Sequence, residues 1–166
     1  MKIIAIIILT LIFPLVIFIS VLLFFQSGVN IIFSQQRVGL NQIGFTIYKF
    51  KTIENNKITF LGKLLRKSGL DEIPQLFNIL KGDMNFVGPR PLTQFDINRL
   101  NWNKPEINKR WTVKPGITGL AQLSKTCDSV LTLKNDFYYI DHKSFILDLK
   151  LIVKSLLVPI IGKKTK

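Results

Sequence analysis

The chain has 166 residues, enough for one compact domain, with 23 Lys and Arg against 10 Asp and Glu and a net charge of +13. Such a charge favours anionic partners: nucleic acid, anionic lipid head groups or phosphorylated substrates. A single cysteine, Cys127, excludes an internal disulfide, and with a single histidine, His142, no Cys/His zinc site can be assembled.

From Ile3 to Phe25 every residue is apolar except Thr10 and Ser20, and a continuous helix of that length is long enough to cross a hydrocarbon core. Residues 1–28 are therefore read as a membrane helix and 29–166 as a separate domain. Lys2 alone forms the basic flank, and Phe24 to Gly28 offers no small-residue cleavage site, so a cleaved signal peptide is disfavoured. Pro14 lacks the N–H that would pair with the Thr10 carbonyl, which predicts a kink between two halves of about 16 Å each. Two topologies follow: a kinked span, or a re-entrant hairpin that enters and leaves through one face. Either keeps the basic domain in the cytoplasm, because Arg37, Lys49 and Lys51 follow soon after the segment.

Phe45 to Ile53 alternates, with Phe45, Ile47, Lys49, Lys51 and Ile53 on one face, and reads as a strand followed by a turn at Asn55 and Asn56. Phe60 to Lys67 reads as a short helix. Leu70 to Leu80 reads as a second, with Ile73, Leu76, Phe77 and Leu80 at helical spacing, an N-cap near Leu70 or Asp71 ahead of Pro74, and Gly82 as its stop. Asn101 to Lys114 is polar and helical in part, while KPGITG, Lys114 to Gly119, reads as a turn whose N–H groups are candidates to face an anion. Residues 145–162 form an apolar run interrupted by Asp148, Lys150, Lys154 and Ser155, which suits a helix in a membrane interface or a helix in the core.

The chemistry-bearing residues concentrate between Leu64 and Pro91. Asp71 and Glu72 are adjacent carboxylates, preceded by Arg66 and Lys67 and followed by Arg90 between Pro89 and Pro91. An N-cap and first-turn role accounts for the two carboxylates without any chemistry. Consecutive helical side chains diverge by about 100°, so the pair suits one reactive group with a helper better than two groups on one bond. Proline on both sides restricts the backbone of Arg90 and favours a fixed guanidinium of the kind that binds phosphate.

The order YKFKT at 48–52, LGKLLRKSGLDEIPQLFNILKGDMNFVGPRPL at 61–92 and KPGITGLAQ at 114–122 closely resembles the bacterial sugar transferases, the monotopic polyprenyl-phosphate phosphoglycosyl transferases. The resemblance runs from about Phe33 to Leu151. It implies an α+β monotopic membrane protein with a Pro-broken re-entrant N-terminal helix, a small helix-rich catalytic domain with short strands, and interfacial amphipathic helices. It implies transfer of a sugar-1-phosphate from a UDP-sugar to polyprenyl phosphate, with release of UMP, Mg²⁺ as cofactor and a covalent aspartyl intermediate. By position, Asp71 matches the nucleophile and Glu72 its partner, both candidates to hold the metal, and Arg66, Arg90, Lys49 and Lys51 match basic positions around the phosphates. The expected setting is the cytoplasmic face of a bacterial inner membrane, with membrane lipid as a partner, no nucleic acid, and a homodimer left open. The chain departs from the family pattern at Phe13, where Ser is usual before Pro14, and at Ser124, Lys125 and Thr126, where Asn-Gly-Arg often follows Gln122. The rival reading of the same composition is a membrane-tethered basic protein that binds anionic lipid or nucleic acid without catalysis, although no aromatic-basic RNA-binding signature or recognition-helix motif is present.

Overall fold

A computed structural model describes residues 1–124 and 128–161. Lys125 and Thr126, part of the departure after Gln122, lie outside the described residues, as does Cys127. The chain runs α1 (Lys2–Ser27), β1 (Ile32–Val38), β2 (Gly44–Phe50), β3 (Ile53–Glu54), β4 (Lys57–Ile58), α2 (Phe60–Ser68), a 3₁₀ turn (Leu70–Glu72) and α3 (Gln75–Lys81). It continues with β5 (Asn85–Val87), α4 (Gln94–Arg99), a 3₁₀ helix (Pro105–Thr112), β6 (Gly116–Thr118), α5 (Leu120–Leu123), α6 (Ser129–His142) and α7 (Phe145–Ile161). This is a mixed, helix-rich fold with short strands.

α1 is one helical element that continues past Pro14. A single stripe faces the domain along its whole length: Ala5, Ile8, Leu9 and Ile12 pack beside Ile47, Leu76 and Ile79, and Val16, Ile19 and Leu23 beside Phe50 and Leu65. The i, i+3, i+4 spacing of that stripe is what puts these residues on one face. The outer face stays apolar and exposed, with Ile3, Ile7, Leu11, Phe18 and Phe25 each more than half accessible. Both ends of α1 touch the domain: the Ser27 hydroxyl donates to Glu54 at 3.2 Å, and the Lys2 ammonium lies beside Gly82.

β1 and β2 form an antiparallel hairpin in which Phe33 faces Lys49 and Gln35 faces Ile47. β3 and β4 form a second, two-residue hairpin across Asn55 and Asn56, both left-handed, at the turn the sequence marks. α2 caps itself through Thr59, whose hydroxyl accepts from the Gly62 N–H. Gly62 itself lies against the chain after β2, since a Cβ there would come within 2.3 Å of the Thr52 carbonyl. This close approach sets α2 directly on Thr52.

Two expectations need correction. The helix anticipated from Leu70 divides into a 3₁₀ turn and then α3, so neither Leu70 nor Asp71 is the N-cap of α3; Pro74 takes that position. The cause is the missing Pro74 N–H: the Leu70 carbonyl instead accepts from the Ile73 N–H at 3.2 Å, the shorter 3₁₀ closure. The KPGITG segment is likewise not a free turn, because Gly116–Thr118 forms β6, parallel to β5. Gly88 and Gly116 permit this contact, since a Cβ on Gly116 would lie 2.1 Å from the Gly88 nitrogen. The Gly116 N–H is consumed by the Pro89 carbonyl at 3.0 Å and is not available to an anion.

The C-terminal helices close the other side. Tyr139 of α6 is buried, with its hydroxyl 2.8 Å from Asp148 Oδ1 of α7 and 3.2 Å from the Val87 carbonyl of β5. Burial and then the Asp148 carboxylate push its pKa well above the ordinary phenol value. α7 buries Leu151 but exposes Phe145, Ile146, Leu149, Val153, Leu156 and Leu157, so it is not a core helix.

Candidate active site

The hairpin β1–β2, α2, the 3₁₀ turn, the segment after β5 and the β6–α5 corner surround a cavity of about 1160 Å³. Asp71, Glu72, Arg66, Arg90, Lys49 and Lys51, all six residues singled out in the sequence, line it. Arg37, which the sequence marked only as a charge following the membrane segment, lines it as well. Five cationic side chains, Arg37, Lys49, Lys51, Arg66 and Arg90, thus face two carboxylates, Asp71 and Glu72, an excess of three positive charges. A cavity of that size and sign accommodates a polyphosphorylated ligand.

Each group has a local reason for its place. Alternation along β2 sends Ile47 and Lys49 to the same face, and Lys51 just beyond the strand follows them into the cavity. The Lys49 ammonium donates to Glu72 Oε1 at 2.6 Å, linking β2 to the 3₁₀ turn. Gly69, with φ of 75°, is the left-handed corner that ends α2 and opens the turn carrying Asp71 and Glu72. Arg66, in the last turn of α2, donates from Nε to the Thr52 hydroxyl at 2.8 Å, which fixes the guanidinium at the cavity wall.

Arg90 is held through its backbone. The Arg110 guanidinium donates from Nη2 to the Arg90 carbonyl at 2.6 Å and from Nε to Asp136 Oδ2 at 2.8 Å. Arg110 and Asp136 are both 2% exposed, and Arg110 lies over the rings of Trp102 and Trp111 at 5.1 and 4.8 Å. Burial pulls the Arg110 pKa down and pushes the Asp136 pKa up, each opposed by the partner's charge. On the other side, Arg37 Nη1 donates to the Pro91 carbonyl at 3.2 Å. The consecutive carbonyls of Arg90 and Pro91 are thereby gripped by two guanidiniums. Burial, and then the charge of Arg90, lower the Arg37 pKa, with Asp96 acting in the opposite sense. Arg37 Nε and Gln122 Oε1 are buried without a protein hydrogen-bond partner among the described residues, and both residues line the cavity.

Sequence reasoning did not find Arg37, Arg110, Asp136 or Gln122 as parts of this site. For the first three the signal is tertiary, since an isolated Arg on a strand and a buried pair 26 residues apart carry no local pattern, while Gln122 ends the KPGITGLAQ motif with no role marked for it there.

Asp71 and Glu72 are a donor set that suits Mg²⁺, which commonly takes one or two carboxylates and completes its shell with water and substrate phosphates. Among the described residues no group of three or more His, Cys, Asp and Glu comes together as a preformed metal cage.

Comparison with known proteins agrees with this arrangement. The family model for bacterial sugar transferases matches residues 2–162. A UDP-N-acetylgalactosamine-undecaprenyl-phosphate N-acetylgalactosaminephosphotransferase of Aeromonas hydrophila is 34% identical over 162 residues, covering 86% of this chain and 38% of that protein. An uncharacterized sugar transferase, EpsL, of Bacillus subtilis is 38% identical over 141 residues, covering 76% of this chain and 68% of its own length. A UDP-glucose:undecaprenyl-phosphate glucose-1-phosphate transferase of Caulobacter vibrioides is 30% identical over 163 residues, covering 86% of this chain and 61% of that protein. The chain therefore spans between about two fifths and two thirds of the length of these relatives. With the family model covering nearly the whole chain and the carboxylate pair set in a cationic cavity, the chain belongs to the bacterial sugar transferase family.

Proposed function

We propose that the protein transfers a sugar-1-phosphate from a UDP-sugar to undecaprenyl phosphate, releasing UMP, as a membrane step of bacterial polysaccharide synthesis. The observation that carries this reading is the convergence of Asp71 and Glu72 with Arg37, Lys49, Lys51, Arg66 and Arg90 on one cavity, in a chain of this family. Relatives named for the same reaction with N-acetylgalactosamine and with glucose support the substrate class.

In the proposed mechanism an Asp71 carboxylate oxygen attacks the sugar-linked phosphorus of the donor. The bond from that phosphorus to the bridging oxygen breaks, and UMP leaves with the electron pair. An oxygen of the polyprenyl phosphate then attacks the same phosphorus, the bond to Asp71 breaks, and the carboxylate is regenerated. A carboxylate approaching a diphosphate meets charge repulsion, which Arg66, Arg90 and Arg37 offset by binding phosphate oxygens in a partly enclosed site. Lys49 orients Glu72 at 2.6 Å beside Asp71, where its carboxylate can accept a proton from the incoming lipid phosphate. Asp71 and Glu72 would hold Mg²⁺, which would neutralise phosphate charge in this site.

The same reading places α1 in one leaflet, entering and leaving the membrane by the cytoplasmic face. Contact of both its ends with the domain supports this topology over a span that ends on the far side. α7, with its exposed apolar residues, lies in the interface beside it.

The test is UMP release by detergent-purified protein given Mg²⁺, undecaprenyl phosphate and UDP-N-acetylgalactosamine, UDP-glucose or UDP-galactose in turn. The expected result is UMP that depends on the lipid phosphate and is lost in Asp71→Asn. A folded protein that binds polyanions in a salt-dependent way but releases no UMP from any donor would replace this reading with the tethered basic binder.

A further inference from the structure

A second cavity, of about 410 Å³, lies between α1, the β1–β2 hairpin and α3, and its wall is apolar: Leu9, Val16, Phe50, Ile73 and Phe77 contribute to it. Among the described residues its lining holds no carboxylate. At its rim stands Lys81, whose ammonium donates to the Tyr48 hydroxyl at 3.0 Å and lies 4.7 Å from the centre of that ring. Two further ammonium groups gather at the next residue. A Cβ built on Gly82 would lie 3.6 Å from Lys114 Nζ and 3.8 Å from Lys2 Nζ. The C-terminal carbonyls of α3 attract cations, and one carboxylate, Asp83, adds to that pull on Lys81. Neither of those accounts for an adjoining apolar chamber that opens where the exposed face of α1 meets lipid.

We propose that this cavity and the Lys2, Lys81 and Lys114 edge form a binding site for an anionic phospholipid, with an acyl chain in the chamber and the phosphate on the lysines. The chemistry is that of an amphiphile: a chain-sized apolar space with Lys81 at its rim, and Lys2 and Lys114 meeting at Gly82, the next residue along. The occupant is a resident phospholipid rather than the reacting lipid phosphate. Lys81 closes α3 and lines only this cavity, whereas Asp71 lies in the 3₁₀ turn that precedes α3 and lines only the larger one. A phosphate seated at Lys81 therefore sits at a different cavity from the proposed nucleophile. Ile32 and Phe50 line both cavities, so an occupant here buttresses the hairpin that carries Lys49 and holds α1 against the domain.

The proposal rests on α1 facing lipid, and its test needs no turnover, so it fails or stands independently of the transferase reading. Detergent-purified protein is titrated with phosphatidylglycerol in one arm and phosphatidylcholine in the other, and lipid-bound species are counted by native mass spectrometry. Phosphatidylglycerol is expected to bind more tightly, with the preference falling by about fivefold for each lysine removed in Lys2→Gln and Lys81→Gln. Both lysines are exposed, so these variants are expected to fold. Val16→Phe, which fills the chamber, is expected to weaken both lipids, and it is read only after circular dichroism matches the parent. Equal binding of the two lipids, or a phosphatidylglycerol preference that survives loss of Lys2 and Lys81, would overturn the proposal.

Discussion

Lys49 and Glu72 meet at 2.6 Å with side chains 22% and 34% exposed, so their attraction is screened and is worth under about 1 kcal/mol to the fold. Its weight lies in orientation. Lys49→Met is expected to leave thermal stability nearly unchanged while lowering kcat/KM for UMP release by at least about tenfold; a variant that loses stability but keeps its activity would reverse that assignment. Arg110 and Asp136 present the opposite balance. Each is almost wholly buried, and removing one partner leaves an uncompensated charge, so Asp136→Asn is expected to cost about 3 to 5 kcal/mol in urea unfolding. Because Arg110 also holds the Arg90 carbonyl, the surviving folded fraction is expected to show a raised donor KM, and an unchanged KM would separate the ion pair from the site.

Between elements, side-chain hydrogen bonds fix the frame that carries the dyad. Asn78 of α3 is fully buried, donates to the Thr46 carbonyl at 2.6 Å and accepts from the Tyr48 N–H at 3.2 Å, so it occupies the free edge of β2 in place of a third strand. Asn78→Ala strands those two groups and is expected to destabilise the protein by about 1 to 3 kcal/mol, measured by thermal denaturation. α4 begins with a reciprocal cap, in which the Asp96 N–H donates to the Thr93 hydroxyl and that hydroxyl donates to the Asp96 carboxylate at 2.7 Å. This bond, first among several causes, holds the Asp96 pKa below its ordinary 3.8. Its stabilisation is therefore complete above that value and is lost as pH falls through the lower folded-state pKa, so Asp96→Asn is expected to flatten the acid limb of a stability profile. Much of this layer was legible in the sequence. Alternation placed Lys49 and Lys51 with Ile47, helical spacing marked α2 and α3, and Asn55-Asn56 marked a hairpin turn. Pro74 was read correctly as a start signal, but its effect on the preceding carbonyl produced a 3₁₀ turn ahead of the helix. The pairing of β5 with β6 escaped because each strand has three residues, too short for a period, and because their contact depends on two glycines almost thirty residues apart. Arg110 and Asp136 escaped because nothing local distinguishes a buried charge from a surface one.

For the molecule as a whole, α1 decides where the chemistry takes place. One stripe of it packs on the domain from Ala5 to Leu23, and the opposite face is apolar apart from Thr10, whose hydroxyl is spent on the Ile6 carbonyl, an arrangement suited to lipid on one side and protein on the other. If α1 enters and leaves by one face, cysteines placed at Lys2 and at Ser27, in a chain with Cys127→Ser, are expected to react with an impermeant thiol reagent from the same side of sealed vesicles; labelling from opposite sides would establish a span. The cationic cavity lies beside the hairpin and α7, and in the proposed function that geometry would bring it within reach of a lipid phosphate arriving in the membrane and a nucleotide sugar arriving from water. The proposed aspartyl intermediate is what allows the two substrates to be handled in turn in one cavity. It is tested most directly by intact-mass spectrometry of protein incubated with Mg²⁺ and the UDP-sugars, in the absence of any lipid acceptor. The account predicts a gain of one sugar phosphate on the peptide containing Asp71, discharged when undecaprenyl phosphate is added and absent in Asp71→Asn. Lipid-dependent release of UMP with no such gain, and with Asp71→Asn still active, would contradict it.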